Sequence, residues 1–337
     1  MRRQLILVLV WLFSAAACAA PDSQSAGTQA AIDALTRAHA AVVGVDVTVT
    51  QGARSAATLG RERSGSGVVI GPDGLILTIG YLMLEADSIQ VTTPDKRVFP
   101  AKAVAYDIAT GFGLIKPLLS LPGMRAVPLG SFKDLPTGAR LMVVTGGDDA
   151  EMAVTQLLSK RAFSGYWEYH IENALFTSPP VANHSGAALF NDRGELMGIG
   201  SLFVGDALGA APRVPGNMFV PVDLLKPILA DLQTTGSSKA SRRPWLGVTS
   251  TEQGGRVQVV RVVDGGPAQV GGVESGDIIL AVDEKRVASL EDFYKGVWAH
   301  PNPDDEIKLT VLHGADLRVL KLKGVDRMTT MAKPAGI

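Results

Sequence analysis

The sequence predicts a mainly β protein with more than one domain, and three observations lead to this prediction. Short apolar stretches alternate with turn signals along most of the chain. The 37 Gly and 19 Pro residues supply those turns, and aromatic residues make up only 6% of the chain. At 337 residues, of which 46% are hydrophobic, the chain is long enough for two or three compact domains with their own cores.

Charge is balanced along the chain. There are 32 basic and 33 acidic residues, which gives a formal net charge of −1 at pH 7. No block or stripe of basic residues occurs, whereas proteins that bind nucleic acid concentrate Lys and Arg on one face. The sequence therefore predicts that nucleic acid is not a partner.

The N-terminus has the pattern of an export signal. Arg2 and Arg3 precede an apolar run over residues 5–13, and a run of small residues follows at 15–20. The apolar run is too short to span a bilayer comfortably. The pattern predicts a signal peptide over residues 1–20 and a periplasmic location, with an uncleaved N-terminal anchor as the alternative.

Cys18 is the single cysteine of the chain and lies within the predicted signal. Removal of the signal leaves no thiol, which excludes disulfides and cysteine chemistry in the mature protein. A lipid-modified Cys18 is the less favoured alternative, because the alanines at 15–17 lack the Leu expected of a lipoprotein signal. Contact with a membrane is therefore predicted only if Cys18 is lipidated or the signal is retained.

Hydrophobic periodicity predicts a β-rich domain over residues 42–233, preceded by a short helix. Residues 30–41 carry apolar side chains at helical spacing within an N-terminal segment, 21–41, and residues 42–49 alternate as in a strand. A helix over 222–232 with a leucine-rich face ends the domain. Further strands are predicted at 67–70, 75–78, 89–91, 141–145 and 194–199.

Two segments are predicted to lack fixed structure. Residues 234–243 have no apolar periodicity and are predicted to form a flexible linker. The tail, residues 326–337, is predicted to be disordered from residue 328 onward. Between these two segments a second, smaller domain is predicted over residues 244–325.

The second domain combines strands with one helix. The helix is predicted from about residue 290 to residue 300, with Ser289 as its N-cap and Asp292 at the third helical position, a variant of the capping box. Strands are predicted at 256–263, 277–282, 306–313 and 317–322. This mixture is typical of an α+β domain.

Motifs in the larger domain resemble those of the HtrA/Deg serine proteases. Residues 64–70 (SGSGVVI) and 74–78 (GLILT) resemble the strand pair that leads to the catalytic His of that family. Residues 184–189 (HSGAAL) and 194–199 (GELMGI) resemble its nucleophile loop and the hairpin that follows. The order of the motifs along the chain is also that of the family.

Motifs in the smaller domain resemble a PDZ domain of the HtrA type. They are WLGV at 245–248, GPA at 266–268 and SGDII at 275–279. With the motifs of the larger domain, the resemblance covers about residues 30–325. It implies a trypsin-like double six-stranded β-barrel followed by an α+β PDZ domain, and weakly implies a homo-oligomer, a trimer.

The position of the catalytic His is occupied by another residue. The family places this His about three residues after the Thr that ends the strand, and Tyr81 stands at this distance from Thr78. A phenol titrates near pH ~10 and an imidazole near ~6.5, so Tyr81 cannot be the same general base at neutral pH. No His occurs between His39 and His170, which excludes a shifted alignment.

The catalytic Asp is also replaced. The family has an Asp-x-x-x-Asp segment, and the chain has DIATGFGL at residues 107–114. Asp107 matches the first Asp, and Gly111 occupies the position of the catalytic one. Since Gly has no side chain, it cannot orient a histidine.

Ser185 is retained at the position of the nucleophile. The family's loop is Gly-Asn-Ser-Gly-Gly, and the chain has NHSGA at residues 183–187. Asn183 replaces the Gly whose N–H contributes to the oxyanion hole. Because Asn tolerates a positive φ, Asn183 and Ser185 are predicted to form a remnant of that hole.

Other bases for Ser185 are less favoured. His184 is adjacent to Ser185, and adjacent side chains rarely converge, while His170 lies in a segment between barrel strands. A Ser–Lys pair with Lys116 or Lys160 has no support from spacing. The sequence predicts no meaningful proteolysis, and a serine endopeptidase that uses Ser185 with a non-standard base is the alternative.

The resemblance to PDZ domains implies a peptide site. Leu246, Gly247 and Val248 correspond to the loop whose N–H groups receive a terminal carboxylate, and Gly247 permits the turn that points these groups inward. The groove helix is predicted to present an apolar stripe, with a purely structural core as the alternative. Its members are Leu290, Phe293 and Val297. An apolar C-terminal side chain is the predicted ligand.

The predicted function is a non-catalytic binding protein of the bacterial periplasm or cell envelope. It would bind exposed peptide segments or protein C-termini as a scaffold, regulator or holdase in envelope protein quality control. No cofactor is predicted, and no metal site either, because the histidines are scattered. A purely structural module of an envelope complex is a further alternative.

Overall fold

The computed structural model describes residues 23–332 and has a mainly β architecture, which confirms the predicted fold class. The predicted signal peptide and Cys18 lie outside the described residues. Among residues 23–332, no helix is both long and apolar enough to cross a membrane.

The first barrel is a closed sheet in the order β1-β2-β3-β6-β5-β4 with antiparallel pairing. Its strands are β1 (Val42–Val49), β2 (Glu62–Val69), β3 (Ile76–Ile79), β4 (Ala86–Thr92), β5 (Val98–Tyr106) and β6 (Phe112–Pro117). In β1 the valines at alternate positions are buried while Asp46 is exposed, as a strand with one face in a core requires. A 3₁₀ turn, Gly80–Met83, follows β3 directly and faces the second barrel.

The second barrel is closed in the order β10-β11-β12-β9-β8-β7. Its strands are β7 (Arg140–Val144), β8 (Met152–Gly165), β9 (Tyr169–Ser178), β10 (Ala188–Phe190), β11 (Leu196–Val204) and β12 (Gly216–Pro221). The long strands β8 and β9 form a hairpin that extends beyond the barrel, because β8 pairs with β9 as far as Gly165 and Tyr169. The two barrels together form the double barrel that the sequence predicts.

Two helices accompany the first barrel. Helix α1 (Ser23–His39) begins earlier than predicted and ends two residues before β1, with Ala34 and Ala38 buried. The short helix α2 (Ala56–Leu59) follows β1. A Cβ on Gly194 would meet the Ala34 carbonyl oxygen at 2.6 Å, so α1 lies directly against the turn before β11.

The predicted helix over 222–232 is wrong. The segment forms a 3₁₀ turn at Val222–Leu224, and helix α3 begins only at Leu229 and continues to Thr235. Pro227 explains the break, because proline has no N–H to donate and disfavours helical geometry in the residue before it.

The predicted flexible linker at 234–243 is instead a packed segment. It includes a 3₁₀ turn, Lys239–Ser241, and its Ser238 and Ser241 are buried. The hydroxyl of Ser241 donates to Asp107 Oδ1 at 2.5 Å, and the backbone N–H of Ser238 donates to the same oxygen at 3.3 Å. A buried carboxylate in the first barrel therefore fixes the connection between the domains.

The second domain is a sheet in the order β14-β15-β16-β18-β19, with β17 paired to β16 and β13 paired to β20. Its elements are β13 (Pro244–Trp245), β14 (Val248–Gln253), β15 (Arg256–Val262), α4 (Pro267–Val270), β16 (Ile278–Val282), β17 (Lys285–Arg286), α5 (Leu290–Val297), β18 (Glu306–His313), β19 (Asp316–Lys323) and β20 (Val325–Asp326). Ser289 is the N-cap as predicted, because its Oγ accepts from the Asp292 N–H. The reciprocal bond of a capping box is shifted by one residue, since Asp292 Oδ2 accepts from the N–H of Ala288 rather than from that of Ser289. Helix α5 ends at Val297, before the predicted end at residue 300.

The predicted disorder of the tail is wrong for the residues that the structure describes. The strand β20 pairs with β13, and a 3₁₀ turn follows at Arg327–Thr330. The backbone N–H of Ala332 donates to Glu85 Oε1 at 2.7 Å. The chain therefore returns from the second domain to the first barrel.

Candidate functional site

The site predicted for catalysis lies between the two barrels. The turn after β3 places Tyr81 so that its Oη lies 2.6 Å from Ser185 Oγ and 2.9 Å from the carbonyl oxygen of Ser201. The phenol donates within this group, and the described contacts of Ser185 Oγ include no other side chain. The structure thus brings Tyr81 and Ser185 together, as expected of residues at the positions of a base and a nucleophile.

The proton chemistry of Tyr81 differs from that of a catalytic histidine. Burial raises the pKa of Tyr81 to about 12, and the hydrogen bond with Ser185 opposes this rise only in part. An effective general base has a pKa near the working pH. Because Tyr81 stays protonated at neutral pH, it does not accept the proton of Ser185.

Gly111, at the position predicted for a catalytic aspartate, has no side chain and little room for one. Gly111 has φ +84°, a left-handed conformation that side chains rarely adopt. A Cβ there would lie 3.3 Å from the Tyr169 hydroxyl, which donates to the Thr110 carbonyl oxygen at 2.6 Å. Tyr169 therefore fills the space beside Gly111.

Asp107, the acidic residue of this segment, accepts hydrogen bonds that hold the local backbone. Its carboxylate is fully buried and accepts from the backbone N–H and the hydroxyl of Thr110, besides Ser238 and Ser241. These contacts hold the turn that contains Gly111 and the connection between the domains. Asp107 is therefore a structural carboxylate.

The predicted remnant of an oxyanion hole differs from expectation at one residue. Asn183 is exposed and does not adopt the positive φ on which that prediction depended. The Ser185 carbonyl oxygen accepts from the Ser66 N–H at 2.9 Å, so the loop packs against β2. The expectation that Asn183 would take the place of a glycine with positive φ is therefore wrong. The exposed loop does not require a left-handed residue at this position.

The other candidate bases make contacts away from Ser185. His184 Nδ1 lies 2.9 Å from the Ala182 carbonyl oxygen, and burial lowers the pKa of His184. His170 Nδ1 lies 2.8 Å from Ser164 Oγ. The two lysines are also engaged: Lys116 pairs with Asp73, and Lys160 donates to the Leu135 carbonyl oxygen.

The carboxylate-binding loop predicted in the second domain already holds a carboxylate. The backbone N–H of Leu246 donates to Glu168 Oε2 at 2.9 Å. The N–H groups of Gly247 and Val248 donate to Glu168 Oε1 at 2.7 and 2.9 Å. Gly247 has φ +81°, which turns these three N–H groups toward one point. Glu168 belongs to the connection between β8 and β9, in the double-barrel domain.

Comparisons with known proteins agree with this geometry. Residues 65–199 match the family "Trypsin-like peptidase domain", and residues 244–323 match the family "PDZ domain". Over 258 residues the chain is 24% identical to the serine endoprotease DegS of Haemophilus influenzae, a match that covers 74% of this chain and 73% of DegS. The chain therefore combines a trypsin-like peptidase domain with a PDZ domain, as the HtrA proteases to which it is similar do.

Other relatives are longer than the chain. It is 29% identical over 286 residues to a probable periplasmic serine endoprotease, DegP-like, of Pseudomonas fulva, and the match covers 78% of this chain but 57% of the relative. Among solved structures, the HtrA-type protease AlgW with tripeptide is 21% identical, with a TM-score of 0.55 over 90% of this chain and 98% of that one. This likeness supports the fold.

The residues predicted to line the peptide groove are buried. Leu290, Phe293 and Val297 are 7%, 0% and 1% exposed and pack in the core of the PDZ domain. With the β8–β9 connection lying against the domain, these side chains present no open groove. An amphipathic helix turns its most apolar face toward the sheet, and that face is the one which the sequence reveals.

Tyr294 and Lys295 of α5 contact the β8–β9 hairpin instead. The Tyr294 hydroxyl donates to the Gly165 carbonyl oxygen at 2.7 Å. Lys295 Nζ lies 2.7 Å from Glu172 Oε1. Neither residue was found from the sequence, and neither was Glu168, because their partners lie in the other domain.

One group of described residues has the spacing of metal ligands: His170, Glu172 and Glu291. The Lys295 ammonium lies 2.7 Å from the carboxylate of Glu172 and 2.6 Å from that of Glu291. The lysine charge therefore already compensates both carboxylates, and the cluster connects β9 with α5.

Proposed function

We propose that the protein has no peptidase activity and binds the carboxyl termini of peptides or proteins through its PDZ domain. The observation that carries the first half is the Tyr81–Ser185 pair, in which the residue at the base position is protonated at neutral pH. Replacement of one triad member can lower kcat by about 10⁶-fold, and this chain has replaced two.

The second half is supported by the chemistry of the loop at residues 246–248. Three backbone N–H groups converge on one carboxylate, which is the arrangement that PDZ domains use for the end of a peptide. A free terminal carboxylate has the same two oxygens and the same charge. The proposed ligand is a peptide with a free carboxyl terminus and an apolar last residue.

The periplasm is the proposed location, because the DegP-like relatives are named periplasmic and the chain begins with the pattern of an export signal. In that compartment the protein would act as a scaffold, regulator or holdase in protein quality control. The trimer implied by the family resemblance is part of the proposal for the assembly.

Serine endopeptidase activity is the second candidate function. Ser185 is retained in a loop that packs on β2 and is hydrogen-bonded to Tyr81, which favours this candidate. Peptidase activity requires a general base, and the candidate bases His170, His184, Lys116 and Lys160 make their described contacts elsewhere. Most relatives are named serine endoproteases, so the alternative needs a direct test.

The test is labelling of the purified protein with a fluorophosphonate probe, beside casein turnover, with Ser185→Ala as the control. We expect the same background label in both proteins and no turnover, because nothing withdraws the proton of Ser185 at neutral pH. A label or a turnover that disappears in Ser185→Ala would establish the peptidase and contradict the first half of the proposal.

A further inference from the structure

The connection between β8 and β9 occupies the ligand position of the PDZ domain. We define the hairpin tip as residues 165–169. Its Glu168 carboxylate accepts the three N–H groups of the loop, and the Tyr166 carbonyl oxygen accepts the Ser250 N–H of β14 at 3.0 Å. A peptide ligand of a PDZ domain makes both kinds of contact, one through its terminal carboxylate and one along the strand.

We propose that the hairpin tip is an internal ligand of the PDZ domain, which a partner with a free terminal carboxylate must displace. This inference rests on the proposed function, because it concerns the same loop. It adds that the site is closed in the isolated chain, and that the Glu168 side chain stands in for the terminus of the partner.

The burial of Glu168 supports a specific role for its carboxylate. The residue is 4% exposed, although carboxylates are almost never buried without partners. Burial raises the pKa of Glu168, and the N–H groups of Leu246, Gly247 and Val248 oppose this rise because they donate to its carboxylate. The same three N–H groups would receive the carboxylate of a peptide, so the two carboxylates compete for one position.

The backbone of the tip indicates that the PDZ domain holds it in place. Glu168 has φ +58°, a left-handed conformation that is uncommon for residues with a side chain. Its N–H donates to the Tyr294 hydroxyl at 3.3 Å, and the same hydroxyl donates to the Gly165 carbonyl oxygen. Helix α5 thus contacts both ends of the tip, and the contacts compensate the strained backbone.

Displacement of the tip would also change the space beside Ser185. A cavity of ≈ 410 Å³ is lined by Tyr81 and Trp167 of the double-barrel domain and by Thr249 and Arg261 of the PDZ domain. Residues of the PDZ domain and of the hairpin tip therefore line the same cavity as Tyr81.

The test compares Glu168→Gln with Glu151→Gln, an exposed glutamate that precedes β8. The probes are fluorescein-labelled decapeptides that end in Val, Leu or Phe with a free carboxyl terminus, and the same peptides amidated at the terminus. We expect Glu168→Gln to bind the free-carboxylate peptides at least about tenfold more tightly than the native protein and Glu151→Gln do, because loss of the internal charge removes the competitor.

Hydrogen exchange at the N–H groups of residues 246–248 provides a readout that does not depend on peptide. Exchange should be slow in the native protein and in Glu151→Gln, and at least about tenfold faster in Glu168→Gln, because those N–H groups lose an ionised acceptor. Thermal unfolding of each variant checks that the domains remain folded.

The two results separate the inference from the proposed function. Equal peptide affinity in the native protein and Glu168→Gln, or fast exchange at residues 246–248 in the native protein, overturns the internal ligand. Slow exchange that Glu168→Gln accelerates, with no peptide bound by any variant, supports the internal ligand and overturns the proposed peptide binding.

Discussion

At the scale of single residues, two tyrosines occupy the space around Ser185 and Gly111. The Tyr81 hydroxyl contacts both Ser185 and the Ser201 carbonyl oxygen. Beside Gly111, Tyr169 occupies the space into which a side chain at position 111 would extend. An aspartate introduced at position 111 would therefore conflict with Tyr169.

Gly111 allows a direct test of that conflict. In Gly111→Ala, the left-handed backbone and the 3.3 Å approach to Tyr169 Oη should lower the free energy of unfolding by about 1–2 kcal/mol. Urea denaturation measures the change. Gly205→Ala is the matched control, since no atom lies within 4 Å of its added Cβ and its φ is not positive. Equal stability of the two variants would mean that the turn at Gly111 adjusts without cost.

Sequence reasoning reached the residues that local motifs mark. Tyr81, Gly111 and Ser185 were found because the motifs around them resemble those of the HtrA/Deg family, and the structure places Tyr81 beside Ser185. Glu168 could not be found in this way, because its partner Leu246 lies 78 residues further along the chain. No local pattern distinguishes a glutamate that will be buried by a second domain from one in a solvated turn.

At the scale of elements, alternation of apolar residues predicts individual strands, while the double barrel and the PDZ domain were implied by the resemblance to the HtrA/Deg family. The errors lie in the segments around the domain junction. Pro227 divides the predicted helix over 222–232. The segment 234–243 has no apolar pattern, yet Asp107 orders it through Ser238 and Ser241. Polar residues whose hydrogen bonds are accepted by a distant buried carboxylate have the same composition as a flexible linker. Composition therefore does not distinguish the two.

Glu85 joins three elements and should make the stability of the double-barrel domain depend on pH. Its buried carboxylate accepts from the N–H groups of Arg54, Ser55 and Ala332. Burial alone would raise the pKa of Glu85, but the hydrogen bonds, that of the Ser55 hydroxyl first, outweigh it and hold the pKa below its ordinary value of 4.5. The ionised carboxylate therefore stabilises the folded protein above pH 4.5. This contribution is lost as the pH falls through the pKa that Glu85 has in the folded protein.

Glu85→Gln should therefore lower the free energy of unfolding by about 2 kcal/mol at pH 7. The decrease should become smaller as the pH is lowered below the ordinary pKa of a glutamate. Urea denaturation at a series of pH values measures the difference between the variant and the native protein. Glu62→Gln, at an exposed glutamate of β2, should show a small difference throughout. A difference for Glu85→Gln that is constant down to pH ~3 would contradict the role of its charge.

At the scale of the whole molecule, the two domains share a buried polar interface. Arg243 lies at their junction, and its guanidinium stacks on the Trp298 ring at 3.4 Å from the ring centroid. Burial lowers the pKa of Arg243 to about 10, while the charges of Glu168 and Asp107 oppose this, so the guanidinium stays positive at neutral pH. Arg243 therefore lies close to the carboxylates that hold the linker segment and the hairpin tip, and Arg327 is a second cation near Glu168.

Removal of the Arg243 guanidinium should uncouple the domains. In Arg243→Ala the buried carboxylates of Asp107 and Glu168 lose one nearby positive charge, while Arg327 stays near Glu168, and Trp298 loses a stacking partner. Leaving buried charges uncompensated is strongly destabilising, by about 3–5 kcal/mol, and here the loss falls on the interface. Differential scanning calorimetry should show one cooperative transition for the native protein and two separate transitions for Arg243→Ala.

Arg242→Ala is the matched control, because Arg242 is the exposed neighbour in the same segment. It should keep the single transition of the native protein. If Arg243→Ala also unfolds in one transition at an unchanged temperature, then the guanidinium contributes nothing to the coupling. The other contacts between the domains would in that case carry the coupling, and Glu168→Gln would test the contribution of the hairpin tip.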